Sequence, residues 1–195
     1  MWLNPAVTGH NLVWWHPCPV DVAAELLSST KPKGTIANSD IELAALFLQE
    51  ATLLKAVPMA CMAAPRSDSD NTPTVSWSMC EASMINPAVA DLLRIRALHS
   101  REFFFNPSVF YYPGQENCMA DDASRLFSLS DIEFLTHVSV IHPQSHGLWQ
   151  ISLPPPELLT CVISTLRRKP CDTALLNMRD SRCYTGSGPT SVPPC

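Results

Sequence analysis

Three acidic residues stand in surroundings that could give them chemistry: Glu42, Asp70 and Asp121. Glu42 lies in Asn38-Ser39-Asp40-Ile41-Glu42, at the head of an apolar helical run. Asp70 closes the polar run Arg66-Ser67-Asp68-Ser69-Asp70-Asn71, just before Thr72-Pro73. Asp121 lies in Asn117-Cys118-Met119-Ala120-Asp121-Asp122-Ala123-Ser124-Arg125. A buried helix, a strand end and a late helix can bring such residues to one point of an α/β sheet. Carboxylates gathered there repel one another unless a cation sits between them. Their hard oxygens suit Mg²⁺ or Mn²⁺. Two such ions about 4 Å apart activate a water and stabilise a leaving oxygen on a phosphodiester. Each residue also has a purely structural explanation. Ser39 to Glu42 fits an S-x-x-E capping box, Asp70 fits a solvated loop, and Asp121 and Asp122 fit a helix start favoured by the macrodipole.

The elements that must position these residues are readable in outline. Residues 1–15 predict a strand, a turn over Pro5–Gly9, and a second strand through Trp15. Asp21 to Ser28 has helical spacing, broken by Lys31-Pro32-Lys33-Gly34. Ser39 is the predicted N-cap of the strongest helix, which runs through Leu43, Leu46, Phe47, Leu48, Leu53 and Leu54. Residues 59–66 predict a short buried strand, and the polar run follows it. Thr72-Pro73 predicts a cap and first helical residue. Asn86-Pro87 opens a longer helix with Val89, Leu92, Leu93, Ile95 and Leu98 apolar, and Arg94, Arg96 and Arg101 on its polar side. The second half of Phe103–Tyr112 predicts a strand, and Asn117 the cap of a short helix through Ala123. Beyond residue 127 the pattern predicts helices at about 131–140 and 156–168, joined by loop.

Composition bounds the answer. The chain has 195 residues, 46% of them hydrophobic, enough to bury a core and too many for wholesale disorder. The net charge of −5 excludes a protein that holds nucleic acid by charge alone. An acidic chain still acts on nucleic acid when cations sit between its carboxylates and the phosphates. The 8 cysteines form no CxxC pair and are expected to be mostly reduced thiols. The most apolar stretch, Ile41 to Ala64, is interrupted by Glu42, Gln49, Glu50, Lys55 and Pro58, so no membrane span is expected. No basic n-region and apolar h-region opens the chain. The expected compartment is therefore intracellular, cytoplasmic or nuclear.

The three acidic segments also carry a resemblance. Asn117 to Arg125, following Tyr112-Pro113-Gly114, resembles the closing motif of the ribonuclease H domain in retrotransposon polyproteins, roughly P-G-x-x-N-x-x-A-D-x-x-S-R. Asn38-Ser39-Asp40-Ile41-Glu42-Leu43-Ala44-Ala45 resembles that family's first-helix motif, whose Glu is a metal ligand. Ser69-Asp70-Asn71-Thr72-Pro73-Thr74-Val75 resembles its strand-to-helix motif. The resemblance covers residues 1–127. It implies an α/β, ribonuclease H-like mixed sheet flanked by helices, with residues 128–195 as a C-terminal helical extension and linker. It implies two-metal hydrolysis of the RNA strand of RNA/DNA hybrids, with Glu42, Asp70 and Asp121 as ligands of Mg²⁺ or Mn²⁺. The implied neighbour is the reverse transcriptase region of the same polyprotein. The family also takes an Asp from its first strand, and this sequence has none before Asp21. The expectation is an N-terminally truncated domain with an incomplete metal site and impaired activity.

Two other readings compete. The chain could be a non-catalytic remnant or binding module with the same fold, or a host protein that merely shares an α/β sheet. Among further motifs, His142 and His146 have H-x3-H spacing with Cys161 and Cys171 downstream, a weak zinc pattern. Cys18 beside His16 lacks an orienting acid. Arg167-Arg168-Lys169 is expected as a solvated helix end. Trp14, Trp15, Phe103, Phe104, Phe105, Tyr111 and Tyr112 could stack on bases, although most are expected in the core.

Overall fold

The computed structural model describes residues 11–13, 19–28, 32, 34–56, 64–80, 86–143 and 149–169, without the side chains of 11–13 and 121. The first predicted strand, residues 59–63 of the predicted 59–66 strand, His16, Cys18, Trp14, Trp15, His146 and Cys171 lie outside them. The chain is mixed α/β. In order it forms β1 (Asn11–Val13), α1 (Val20–Ala23), α2 (Asn38–Ala56), β2 (Arg66–Ser69), α3 (Thr72–Cys80), α4 (Pro87–Phe103), β3 (Ser108–Tyr111), a 3-10 turn (Gly114–Glu116), α5 (Cys118–Arg125), α6 (Asp131–Ile141), β4 (Trp149–Ile151) and α7 (Pro156–Leu166).

Helix α2 is the centre of the fold. Leu43, Ala44, Leu46, Phe47, Leu48, Ala51 and Leu53 are all buried, on every side of the helix. A helix apolar all round must be enclosed, and α3, α4, α7 and β2 enclose it. Helix α4 is amphipathic instead. Val89, Leu92, Leu93 and Ile95 face the core, while Arg94 and Arg101 stay exposed. Helix α7 completes the same core with Leu158, Cys161, Val162 and Leu166. The core therefore draws on both sides of residue 127. A smaller cluster gathers Phe134, Val138 and Trp149, with Met119 and Leu126 of the α5 region against them.

The described strands form two separate parallel pairs, β1 with β4 and β2 with β3. The expected mixed sheet is thus seen as parallel ladders only, among the described residues. Parallel neighbours need a long crossover, and α3 and α4 supply it between β2 and β3. Ser67 and Val109 are buried, whereas Arg66, Asp68 and Phe110 face outward.

Several sequence expectations need correction. Strand β2 begins at Arg66, where the predicted strand ends, and takes in the polar run as far as Ser69. Strand β4 interrupts the predicted loop between the last two helices. The helix over 21–28 stops at Ala23, and Leu26 bridges to Ile36 instead. Arg96 is buried, not exposed. Of the aromatic residues described, Phe105 is buried, but Phe103, Phe104 and Tyr111 are exposed. No described helix is long and apolar enough to cross a membrane.

Candidate functional site

The first turn of α2 is the anchor. Helix α2 begins at Asn38, two residues before the start that a Ser39 cap predicts, because Asp40 reaches back and accepts from the Ala37 N–H at 3.1 Å. That contact satisfies one of the amide groups a helix start leaves orphaned. Ser39 to Glu42 is therefore no capping box. Glu42 is free of capping, half-buried, and hydrogen-bonded to the Asn38 side chain.

Two asparagines clip neighbouring elements onto this turn. Asn71 caps α3 by accepting from the Thr74 N–H at 3.0 Å, so the cap lies one residue before the predicted Thr72. Its amide also donates to the Ser39 hydroxyl at 3.4 Å, and the Thr74 hydroxyl donates to the Ser39 carbonyl at 3.3 Å. Asn86 caps α4, accepting from the Ala88 N–H at 3.0 Å, as the Asn86-Pro87 motif predicts. Its amide donates to the buried Asp40 carboxylate at 2.9 Å. Each asparagine uses its oxygen for its own helix and its nitrogen for α2.

This clamp holds the turn that carries Asp70 against the first turn of α2. Asp70 follows directly after β2, and Asn71 fixes the turn. The consequence is electrostatic. Burial pushes the Glu42 carboxyl above its ordinary value, and the Asp70 charge pushes it the same way, against the Asn38 hydrogen bond. The Asp70 charge thus acts on Glu42 in the same sense as burial. The Tyr112 N–H donates to the Ser69 carbonyl at 3.0 Å, extending the β3 side of the ladder to the end of β2. Beyond it, Gly114 lies beside Asp70 and α5 begins.

Asp121 lies on α5, whose predicted cap residue Asn117 makes no side-chain cap bond. Its neighbour Asp122 pairs with His142 at the end of α6, Oδ2 to Nε2 at 3.2 Å. The His142 carbonyl in turn accepts from the Trp149 indole at 2.9 Å. This chain ties α5 to α6 and β4. Among the described residues, no group of three or more His, Cys, Asp or Glu side chains could hold a metal ion. Of the predicted carboxylates, Glu42 senses the charge of Asp70, and Asp121 is placed by its helix alone.

The other candidates resolve simply. Asp21 is paired with Arg167, which also reaches Glu25 at 3.3 Å. Asp21 and Arg167 are thus engaged with each other, and Arg167 is not a free basic residue. Cys161 is disulfide-bonded, so it is neither the expected reduced thiol nor a zinc ligand. Cys80 and Cys118 are free and exposed.

Sequence reasoning missed Asn38, Ser39 and Asn71 as supports of the site. The available signal was an Asn just before a Pro-containing helix start, which occurs twice. No protein-family model, no curated protein and no solved structure matches the chain.

Proposed function

We propose that this chain carries a ribonuclease H-like hydrolytic site of the retrotransposon type, in which Glu42, Asp70 and Asp121 hold Mg²⁺ or Mn²⁺ against an RNA/DNA hybrid. The observation that carries the reading is that Asn71, next to Asp70, is hydrogen-bonded to the first turn of α2, where Glu42 feels the Asp70 charge. Helix caps hold the turns that carry these two hard oxygen donors, and burial first, the Asp70 charge second, raise the Glu42 carboxyl. That donor set fits a small hard cation, which would relieve the repulsion.

Divalent ions bound there would supply an activated water and charge stabilisation for the leaving oxygen. The residues of the chain hold and orient. Asn38 steadies Glu42, and Asn71 with Ser39 fixes the turn that presents Asp70. Helix α5, tied to α6 through Asp122 and His142, carries Asp121.

The resemblance calls for a fourth carboxylate on the first strand. None occurs before Asp21, and Asp21 is engaged by Arg167. The proposed setting is intracellular, cytoplasmic or nuclear, beside a reverse transcriptase region.

The test is incubation of the purified chain with a labelled RNA/DNA hybrid in Mn²⁺, next to Glu42→Ala and Asp121→Asn. Cleavage that disappears in both variants supports the reading. No cleavage by a chain shown to be folded removes the hydrolase reading and leaves a remnant that keeps the fold without its chemistry.

A further inference from the structure

Helix α5 carries Asp121 but cannot hold its own place. It has 8 residues, well under the about 12–15 that an isolated helix needs. Asn117 gives it no side-chain cap, and none of its described side chains is fully buried. Its seat is the unit formed by α6 and β4. Met119, Ala123 and Leu126, one face of the helix by their spacing, pack on the cluster of Phe134, Val138 and Trp149. Asp122 lies on that same face and meets His142, Oδ2 to Nε2 at 3.2 Å. Each residue turns a helix by about 100°, so position 121 falls on the opposite side. The anchored face and the proposed ligand position are back to back.

Apolar contacts hold α5 down but set its rotation only loosely, because they have no direction. The Asp122 bond has one. A carboxylate only accepts, so the imidazole donates through Nε2. The residue that donates is itself held. The His142 N–H donates to the Val138 carbonyl at 2.9 Å, and the His142 carbonyl accepts from the Trp149 indole at 2.9 Å. Trp149 is buried and opens β4, which pairs with β1. The links from Asp122 through His142 to Trp149 thus run from α5 into a strand ladder. The adjacent acidic residue gives the bond its consequence: a turn of α5 by about 100° would put position 121 where Asp122 stands. We propose that His142 is the positioning residue for Asp121: by engaging Asp122 it fixes the rotation of α5, which makes α6 and β4 part of the site and not an appendage to it. This rests on reading Asp121 as a cation ligand.

The experiment uses the full chain as wild type, His142→Leu, His142→Gln, Asp122→Ala, and Asp122→Ala combined with His142→Leu. The Gln amide donates from about the place of Nε2 and can remake the bond, whereas Leu cannot. Amide hydrogen exchange over residues 118–125 is read without metal. Mn²⁺ affinity is read by electron paramagnetic resonance of the free ion, and cleavage of the hybrid gives kcat and KM. His142→Leu is expected to speed exchange over 118–125 and to weaken Mn²⁺ binding about tenfold, as loss of an outer-shell partner does. It is expected to lower kcat with KM for the hybrid unchanged. The bond is partly exposed and adds little to global stability, so the thermal unfolding midpoint stays where it is. His142→Gln is expected to restore exchange, affinity and kcat. In the Asp122→Ala background, His142→Leu is expected to do nothing further.

Unchanged exchange and Mn²⁺ affinity in His142→Leu would overturn the proposal. So would equal losses with and without the Asp122 carboxylate, or no recovery in His142→Gln. If the wild type takes up no Mn²⁺ and cleaves nothing, while exchange over 118–125 still follows the bond between Asp122 and His142, the seating of α5 stands and the ligand reading of Asp121 falls. If His142→Leu fails to fold, Asp122→Ala cuts the same bond from the α5 side. Faster exchange over 118–125 in that variant supports the proposal, and unchanged exchange overturns it.

Discussion

Arg96 on α4 grips Glu50 on α2 through two hydrogen bonds, Nε to Oε2 and Nη2 to Oε1, each 2.8 Å. Both side chains are buried, with 6% and 1% of their surface exposed. Burial pushes the Glu50 carboxyl up, and the guanidinium pulls against it. Such a pair is sensitive to loss of one partner, because the other is left charged in the core. Arg96→Ala is expected to cost about 3–5 kcal/mol, whereas replacing both residues by Met and Leu restores most of it. Urea unfolding at neutral pH checks this. A single variant as stable as wild type would mean that water reaches the pair.

The Asn86 clip gives a sharper test, because its two ends can be separated. Asn86→Ala removes the α4 cap and the bond to Asp40, at a cost of about 1 kcal/mol or somewhat more. Asn86→Asp keeps the capping oxygen but sets a carboxylate against buried Asp40, 2% exposed. It is expected to be less stable than Asn86→Ala at pH 7, since like charges in contact disfavour ionisation of both. The excess loss should shrink as pH falls and one carboxyl takes up a proton. A pH series of thermal unfolding for the two variants decides it.

These contacts show where sequence reasoning succeeds. The Asn86-Pro87 start of α4 is legible because a cap and a fixed proline φ are local signals. Helices α6 and α7 are legible from apolar spacing, and β3 from its β-branched and aromatic residues. Strand β2 is not. Arg66-Ser67-Asp68-Ser69 has little strand propensity and buries only Ser67, so its conformation comes from pairing with distant β3. Strand β4 is hidden for the same reason: three residues carry too little pattern. Glu50 looked like an interruption of an apolar run. A charge inside a helix that is apolar all round must have a partner, but nothing local says that the partner is Arg96. The site divides likewise. Glu42, Asp70 and Asp121 are picked out by residue type and motif. Asn71, Ser39 and His142 act through tertiary proximity that no spacing along the chain encodes.

The Glu42 carboxyl is raised by burial first and by Asp70 second. A carboxyl held above its unfolded value stabilises the fold fully at pH below that ordinary value. The contribution is lost as pH rises through the raised, folded value. At neutral pH without a cation, Glu42 is therefore a destabilising charge. Glu42→Gln keeps the shape and removes the charge, and is expected to raise the thermal midpoint by about 2 °C at pH 7, a figure reduced for partial exposure. The gain should vanish well below the ordinary carboxyl range. Calorimetry in chelator checks the sign; a lower midpoint for Glu42→Gln at pH 7 would mean that the Glu42 charge has a stabilising partner.

His99 pulls in the other direction. It is buried on α4 among Phe47, Phe103 and Phe105, with ring centroids 4.6 to 5.8 Å away. Its Nδ1 has no hydrogen-bond partner among the described residues. Aromatic neighbours give a charged imidazole too little solvation, and burial lowers its pKa from the ordinary 6.5 to about 4. In the unfolded chain the ring protonates near the ordinary value, so between the two values the unfolded state binds the extra proton. Stability from this residue is complete above about pH 6.5 and falls as pH drops toward 4, by about 1.4 kcal/mol per pH unit, roughly 3 kcal/mol in all. His99→Leu removes the titrating group and keeps an apolar filling among the phenylalanines. It is expected to flatten the pH profile of unfolding free energy across that window, with no matching change at pH 7.5. Urea midpoints at pH 7.5, 6, 5 and 4 for wild type and variant measure it. Parallel profiles would place the acid sensitivity elsewhere and show that His99 keeps its charge on folding.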